Sequence, residues 1–211
     1  MQIKIIVVFI CQLFVSFCFG QPDSVLVPSD LNMPDAVFLT YQDFRHNKGI
    51  LKEQISSSIN KEQLDFLVKT LEKETFSFSQ SQKTYSLSSK TVWGFFQNKT
   101  LYINFRGSFY RVPVFGSICY LAATVEVTGV GFYDPMFGSG YSSKRQEVRE
   151  FLINFYDGAV AEFNMDDAQL LLSRDKLLFG EYKKLNRRNQ REQIFRYIRK
   201  YNETHPVYFL T

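Results

Sequence analysis

Residues 92–105 read VWGFFQNKTLYINF and predict a β-hairpin. Both halves of this segment are rich in aromatic and β-branched residues, which favour strands. A short polar turn, Gln97-Asn98-Lys99, lies between them, as in a chain that reverses and pairs with itself. An antiparallel sheet built from hairpins is therefore the expected framework of the fold.

Further strands are predicted on both sides of this hairpin. Asp157-Gly158, set between alternating apolar residues, is a strong signal for another tight turn. Pro113 lacks a backbone N–H and indicates a strand end, a bulge or a sheet edge. Segment 118–128 is apolar on both faces and is expected at the centre of the sheet. The remaining predicted strands are 36–40, 76–79, 109–115, 151–156, 159–163 and 207–210.

Helices are predicted in two regions. Four leucine and valine residues recur at i, i+3, i+4 and i+7, which predicts a helix over 61–74 with one apolar face. Asn60 is the expected cap of this helix. Near the end of the sequence, Asp166 is expected to cap a short helix, and a longer helical stretch follows over 175–201. Residues 186–193 contain no apolar residue, so a break is expected there.

These elements predict an α+β fold with an antiparallel sheet of about six to eight strands. The helix at 61–74 and the C-terminal helices are expected to cover one face of that sheet. Residues 37–211 form the predicted single domain, because neither a linker nor an internal repeat divides them. Residues 21–36 contain three prolines and are predicted to be an extended leader.

The composition excludes several classes of protein. Of 211 residues, 45% are hydrophobic, 17% aromatic and 22% charged, which excludes a disordered chain, a collagen, a coiled coil and a multi-pass membrane protein. Two His and three Cys exclude a Cys/His-rich metal module. We predict no metal and no cofactor, and no motif identifies an activity.

The first 20 residues are typical of a secretory signal peptide. Lys4 precedes an apolar run over 5–19, and the small residues Cys18 and Gly20 lie just before the expected cut. The run is shorter than the ~20 residues that a helix needs to cross a bilayer. An uncleaved anchor and a lipid-modified Cys18 are the alternatives. Cleavage predicts export to the periplasm, the cell surface or the extracellular space.

Removal of the signal peptide would leave Cys119 as the lone cysteine, so a core rather than an internal disulfide must stabilise the fold. It would also lower the net charge from +4 to +3. Cys119 lies in the apolar run 117–121 and is expected to be a small buried hydrophobe. A nucleophile paired with His46 and a disulfide between chains are the alternatives.

A glycine-rich loop over 129–143 is the first predicted binding surface. Its exposed aromatic side chains are expected to contact a partner or a membrane. There are three alternatives: the aromatic side chains pack in the core, they stack on a glycan together with Tyr102 and Tyr110, or the loop cradles a phosphate. The loop lacks phosphate-binding motifs. The binding residues predicted here are Phe132, Tyr133, Phe137 and Tyr141.

A basic helix is the second predicted binding surface. Residues 174–211 carry ten Lys and Arg against four Asp and Glu, a net charge of +6. Such a surface attracts phosphate groups, which predicts contact with an anionic membrane surface. The simpler interpretation is a solvated helix face, and export argues against nucleic acid as a partner. The binding residues predicted here are Lys184, Arg187, Arg188 and Arg191.

The leading hypothesis is a non-enzymatic binding or structural module that contacts an envelope protein or a glycan. We predict no catalytic residue. The adjacent carboxylates Asp166 and Asp167 are expected to cap a helix. The alternative is a secreted hydrolase that acts on glycan or peptide through carboxylates, including acids far apart in the chain. The sequence leaves the oligomeric state open.

Short motifs of aromatic and turn residues recur along most of the predicted mature chain. They are Val37-Phe38-Leu39-Thr40-Tyr41-Gln42-Asp43-Phe44 with Asn47, Val92-Trp93-Gly94-Phe95, Leu101-Tyr102-Ile103-Asn104, Phe109-Tyr110-Arg111-Val112, Gly116-Ser117-Ile118-Cys119, and Tyr201-Asn202 with Pro206. With these motifs the chain resembles a family of uncharacterised exported proteins of Bacteroidota-type bacteria, whose domain has no assigned function. The resemblance implies an exported envelope protein and assigns no catalytic residue.

Overall fold

The computed structural model describes residues 24–27, 32–128 and 144–210. Within these ranges 30% of the residues are helical and 39% lie in strands, which confirms the predicted α+β class. The predicted signal peptide at 1–20 and the predicted binding loop at 129–143 lie outside the described residues.

Thirteen strands occur in the described residues. In chain order they are β1 Ser24–Leu26, β2 Ala36–Phe38, β3 Ile50–Leu51, β4 Ile55–Ser56, β5 Thr75–Gln80, β6 Lys83–Ser88, β7 Gly94–Gln97, β8 Thr100–Phe105, β9 Ser108–Arg111, β10 Ile118–Thr128, β11 Lys144–Asn154, β12 Val160–Glu162 and β13 Tyr208–Leu210. They are divided among four sheets, where the sequence predicts one; the orders are β1-β13, β10-β11-β12, β3-β2-β7-β8-β9 and β4-β5-β6. Each pairing between strands is antiparallel.

The same parts of the chain contain five α-helices. They are α1 Tyr41–Arg45, α2 Phe66–Leu71, α3 Met165–Leu172, α4 Lys176–Lys183 and α5 Arg187–Thr204. None of these helices has both the length and the apolar character that a membrane crossing requires.

The predicted hairpin over 92–105 is confirmed as β7 and β8, which pair from Gly94 with Ile103 to Gln97 with Thr100. Asn98 and Lys99 form the two-residue turn, with φ of 49° and 59°. Positive φ at both central residues matches the twist of the flanking strands. The backbone N–H of Asn98 also donates to Asp35 Oδ1 at 2.9 Å, which anchors the turn to the segment before β2.

Strand β10 has the predicted bounds but not the predicted central place. It pairs with β11 along its whole length, and its other bridge in the described residues joins Tyr120 to Val114. From Leu121 onward its residues are alternately buried and exposed, so one face meets solvent. The partner β11 starts at Lys144, well before the predicted start at Phe151, because pairing with β10 extends the strand through a charged segment.

Helix α2 is much shorter than the predicted helix over 61–74, and Leu64 of the expected apolar face is 80% exposed. The expected first turn does not form because the β7–β8 hairpin takes its hydrogen bonds. The N–H of Val68 donates to Gln97 Oε1 at 3.3 Å, and the carbonyl of Leu64 accepts from the Asn98 side-chain amide. Asn60 therefore stabilises a turn, in which its Oδ1 accepts from the N–H of Glu62 at 3.0 Å, and not a helix.

The C-terminal helices begin at caps that differ in part from the predicted ones. Asn164, and not Asp166, caps α3, since its side chain accepts from the N–H of Asp167 at 2.8 Å. Asp175 caps α4 and Asn186 caps α5. The helical stretch is interrupted between α4 and α5 at residues 184–186, so most of the segment 186–193, where the interruption was predicted, is helical.

Three apolar clusters formed by the described residues stabilise the fold. One lies between the five-stranded sheet and the β10–β11 ribbon, the second under α3, α4 and α5, and the third between α2, β5 and β7. Aromatic rings dominate the first cluster, where the Phe44 ring contacts Phe38, Trp93, Phe115, Phe155 and Phe209. Tyr197, Ile198 and Tyr201 of α5 are buried in the second cluster, which fixes the opposite face of α5 toward solvent.

Candidate functional site: a cationic cleft

The predicted basic residues lie on an exposed helix surface. Lys184 follows α4, and Arg187, Arg188 and Arg191 occupy the first turns of α5, all four exposed. Arg188 Nε donates to Glu192 Oε1 at 2.8 Å, one helical turn away. None of the four lines the cleft described below. The other predicted binding residues, on the loop at 129–143, lie outside the described residues.

A cleft of about 480 Å³ opens beside the C-terminal half of α5. Its walls come from α5, from the turn between β7 and β8, and from the segment that follows β9. Buried Val112, Val114 and Val207 contribute apolar lining. The polar lining residues are Lys99, Thr100, Arg111, Arg199, Asn202 and Glu203. This volume is within the range of sites that hold small molecules, roughly 300–1,000 Å³.

Three cations from distant parts of the chain line this cleft. Lys99 is held by the β7–β8 turn, and Arg111 ends β9, where it pairs with Tyr102 of β8. Arg199 lies on the solvent side of α5, opposite the buried face of that helix. Among the described residues no carboxylate lies within 4.0 Å of any of these cations. We call this site the cationic cleft.

Asn202 fixes one wall of the cationic cleft. Its side-chain amide forms two hydrogen bonds with the backbone of Ile118, at 2.8 and 2.9 Å. Gly116, which also lines the cleft, packs so closely against Asn202 that a Cβ there would overlap the amide. The wall is therefore rigid, which favours a binding site because little ordering is needed when a ligand enters.

Glu203 is the single carboxylate among the described lining residues, and it is exposed. Three cations against one carboxylate leave the cleft with a positive balance. Arginine guanidinium groups suit carboxylates and phosphates because they donate two parallel hydrogen bonds. The arrangement can hold an anionic group at the rim while an apolar portion of the same molecule covers the valine side chains.

Cys119 is buried, with 3% of its surface exposed, as predicted. Burial raises the pKa of its thiol to about 12, so the thiol is protonated and unreactive at neutral pH. Its sulfur donates to the carbonyl of Gly116 at 3.2 Å. His46 Nδ1 instead contacts the carbonyl of Gln42 at 2.9 Å, and no hydrogen bond joins His46 to Cys119. These contacts disfavour the nucleophile alternative.

Several carboxylates of the described residues are engaged in capping and surface ion pairs. Asp167 accepts from Asn164 Nδ2 at 2.6 Å at the start of α3, which supports a capping role. On the exposed β10–β11 ribbon, hydrogen bonding by Arg149 and the charge of Arg145 lower the pKa of Glu147. Within the ranges that the structure describes, no cluster of three or more His, Cys, Asp or Glu could hold a metal ion.

Sequence reasoning missed most of the cationic cleft. Lys99 and Arg111 are isolated cations in strand-rich segments, and only folding brings them near Arg199. The excess of Lys and Arg after residue 174 was a signal for one wall, since Arg199 belongs to that segment. The binding residues that the sequence predicted in this segment, however, lie at the start of α5, several helical turns away from the cleft.

Comparison with protein-family models, with curated proteins and with solved structures finds no match for this chain. The resemblance to exported proteins of Bacteroidota-type bacteria therefore stays a prediction. The same is true of the signal peptide and of the location that it predicts.

Proposed function

We propose that this chain is an exported, non-enzymatic binding module that holds an anionic amphiphile in the cationic cleft. The ligand class is an apolar body that carries a carboxylate or a phosphate. One observation supports the proposal: three cations line the same cleft, and none of them has a carboxylate partner among the described residues.

The expected binding energy has two sources. Each exposed ion pair contributes ~0.2–1 kcal/mol, so three cations alone give weak, salt-sensitive binding. Apolar area covered by the ligand contributes ~25 cal/mol per Å² and provides the part that salt does not screen. A ligand with both features is therefore held more tightly than inorganic phosphate or a neutral alcohol of the same chain length.

The location and the second surface belong to the same proposal. The predicted signal peptide would deliver the protein to the envelope, where lipids with phosphate headgroups are abundant. The exposed cations at the start of α5 would then attract the protein to an anionic membrane surface, with the cationic cleft further along the same helix. The hydrolase alternative has less support here, because paired-carboxylate hydrolysis needs two acids and Glu203 is alone among the lining residues described.

Calorimetric titration of the purified protein with decyl phosphate tests the proposal. Three comparison probes each carry part of the proposed ligand. Decanol has the apolar chain alone, inorganic phosphate has the anion alone, and phosphatidylglycerol vesicles present the same chemistry as a lipid surface. We expect decyl phosphate to bind at least tenfold more tightly than decanol or inorganic phosphate. Absence of decyl phosphate binding by the wild type, or hydrolysis of the probe, would contradict the proposal.

A pair of double variants locates the binding. Arg111→Gln with Arg199→Gln removes two charges from the cationic cleft, and we expect binding at least tenfold weaker. Arg187→Gln with Arg191→Gln removes the same charge from exposed positions outside it and is the matched control. Equal weakening in both variants would mean that net charge, and not the cleft, determines binding.

A further inference from the structure

A second pocket, of about 370 Å³, lies between the end of α2 and the turn that joins β8 to β9. It shares no lining residue with the cationic cleft. The backbone N–H of Ser89 donates to the carbonyl of Glu74 at 2.9 Å and joins two of its walls. We call it the aromatic pocket, and it is independent of the proposed function.

Aromatic rings form a rigid part of the lining. The Phe95 ring is fully buried and stacks on Tyr102, with centroids 4.7 Å apart and planes 7° from parallel. Phe109 meets Phe95 edge-on, with centroids 5.2 Å apart. Phe95 thus fixes the half-buried Tyr102 and Phe109, which both line the pocket. Rings that are already held in place present apolar surface to a ligand without loss of side-chain freedom.

Two hydroxyl groups of the pocket have no hydrogen-bond partner among the described residues. Ser89 is 4% exposed, and its Oγ has no hydrogen-bond partner among the described residues. The Tyr102 hydroxyl likewise takes part in no hydrogen bond with the described part of the chain. A buried hydroxyl without a partner, such as that of Ser89, is rare in folded proteins and calls for a physical explanation.

The rim of the aromatic pocket carries balanced charge. Glu72, Lys73, Glu74 and Lys90 line it, and all four are exposed. Two acids and two lysines give no preference for a charged ligand. They do offer acceptors and donors side by side, which suits a ligand whose own groups both donate and accept hydrogen bonds.

We propose that the aromatic pocket binds a neutral sugar residue. The C–H face of the sugar ring covers the rings of Tyr102 and Phe109, and its hydroxyls bond the carboxylates and lysines of the rim. A hydroxylated ring fits this combination better than a plain aromatic side chain, since the pocket offers more polar partners than one hydroxyl can use.

Titration of ¹⁵N-labelled protein with methyl β-glucoside and with N-acetylglucosamine tests the inference. Amide signals of Gly107, Ser108 and Phe109 should shift with at least one sugar, while those of Arg111 and Arg199 should not. Phenol, a ring with one hydroxyl, should bind at least fivefold more weakly. Absence of shifts with both sugars, or equal affinity for phenol, would overturn the inference.

Single-atom variants show whether the pocket itself binds the sugar. Tyr102→Phe keeps the ring and removes the hydroxyl, and we expect the affinity to fall at least threefold. Tyr110→Phe is the matched control, because the Tyr110 hydroxyl donates to the carbonyl of Thr124 outside the pocket, at 2.9 Å. Equal loss of affinity in both variants would overturn the assignment.

A hydrolysis assay separates this inference from the proposed function. Release of p-nitrophenol from p-nitrophenyl β-glucoside, abolished by Glu72→Gln with Glu74→Gln, would support sugar binding in the pocket and contradict a non-enzymatic role. Loss of decyl phosphate binding in the cationic-cleft variant with intact sugar shifts would show that the two sites function independently.

Discussion

Asn202 and Ile118 lie 84 residues apart in the chain and share two hydrogen bonds. The backbone N–H of Ile118 donates to Asn202 Oδ1 at 2.9 Å, and Asn202 Nδ2 donates to the Ile118 carbonyl at 2.8 Å. The Asn202 side chain of α5 thus forms the two hydrogen bonds that a neighbouring strand would form with the start of β10. Because both backbone groups of Ile118 depend on this one amide, Asn202 fixes α5 against β10 beside the cationic cleft.

We expect Asn202→Ala to lower the free energy of unfolding by about 2–4 kcal/mol, because it leaves two backbone groups without partners. Denaturant unfolding followed by circular dichroism measures the loss. Asn189→Ala on the same helix is the control, since the Asn189 side chain has no hydrogen bond within the described residues, and its effect should stay below about 0.5 kcal/mol. Similar losses in both variants would contradict the bridging role of Asn202.

The close packing of Gly116 on Asn202 leads to a second prediction. A Cβ at position 116 would overlap the Asn202 amide, so Gly116→Ala should destabilise the protein by about 1–3 kcal/mol. Gly180 lies in α4 with open space around it, so Gly180→Ala should stabilise by about 0.5–1 kcal/mol. Thermal unfolding of the two variants gives opposite shifts. A neutral or stabilising Gly116→Ala would show that the wall of the cleft is not rigid.

Local pattern predicted the fold wherever neighbours in sequence are also neighbours in space. The hairpin at 92–105 pairs with itself, so its strand residues and polar turn contain the needed information. Helix α2 shows the opposite case. Its apolar spacing is helical, but Gln97 and Asn98 take the hydrogen bonds of its expected first turn. No local pattern around residue 64 reports that competition, so the start of α2 could not be predicted.

The candidate site was predictable only in its charge. An excess of cations after residue 174 indicated an anion-binding surface. The cationic cleft, however, depends on Lys99 from the β7–β8 turn, on Arg111 from the end of β9, and on the Asn202–Ile118 contact that holds α5 beside them. The aromatic pocket was hidden for a related reason, since Tyr102 in a strand is expected to pack in a sheet whether or not a pocket lies beside it.

Two buried serines should respond to alanine substitution in opposite directions. Ser117 is 3% exposed, and its hydroxyl donates to the carbonyl of His205, so Ser117→Ala should destabilise by about 1–3 kcal/mol. Ser89 is equally buried, but its hydroxyl has no partner in the described residues, so Ser89→Ala should stabilise by about 1 kcal/mol. Denaturant unfolding of the free protein measures both. A destabilising Ser89→Ala would mean that its hydroxyl is already satisfied.

The buried thiol of Cys119 should make stability depend on alkaline pH. Burial raises its pKa from 9.0 to about 12, so above pH 9 the unfolded chain releases a proton that the folded chain retains. This contribution to stability is therefore fully present below about pH 9 and is lost as the pH rises toward 12.

Cys119→Ala removes the titrating group, so its unfolding free energy should fall less steeply between pH 9 and pH 11 than that of the wild type. Tyr120, whose pKa burial and Glu150 raise to about 12, is present in both proteins and cancels in the comparison. The smaller alanine side chain also lowers the free energy of unfolding at every pH, which shifts the whole stability curve without changing its slope. Urea unfolding at several pH values measures the slopes. Parallel curves for the two proteins would show that the Cys119 thiol ionises equally well in the folded and unfolded chain.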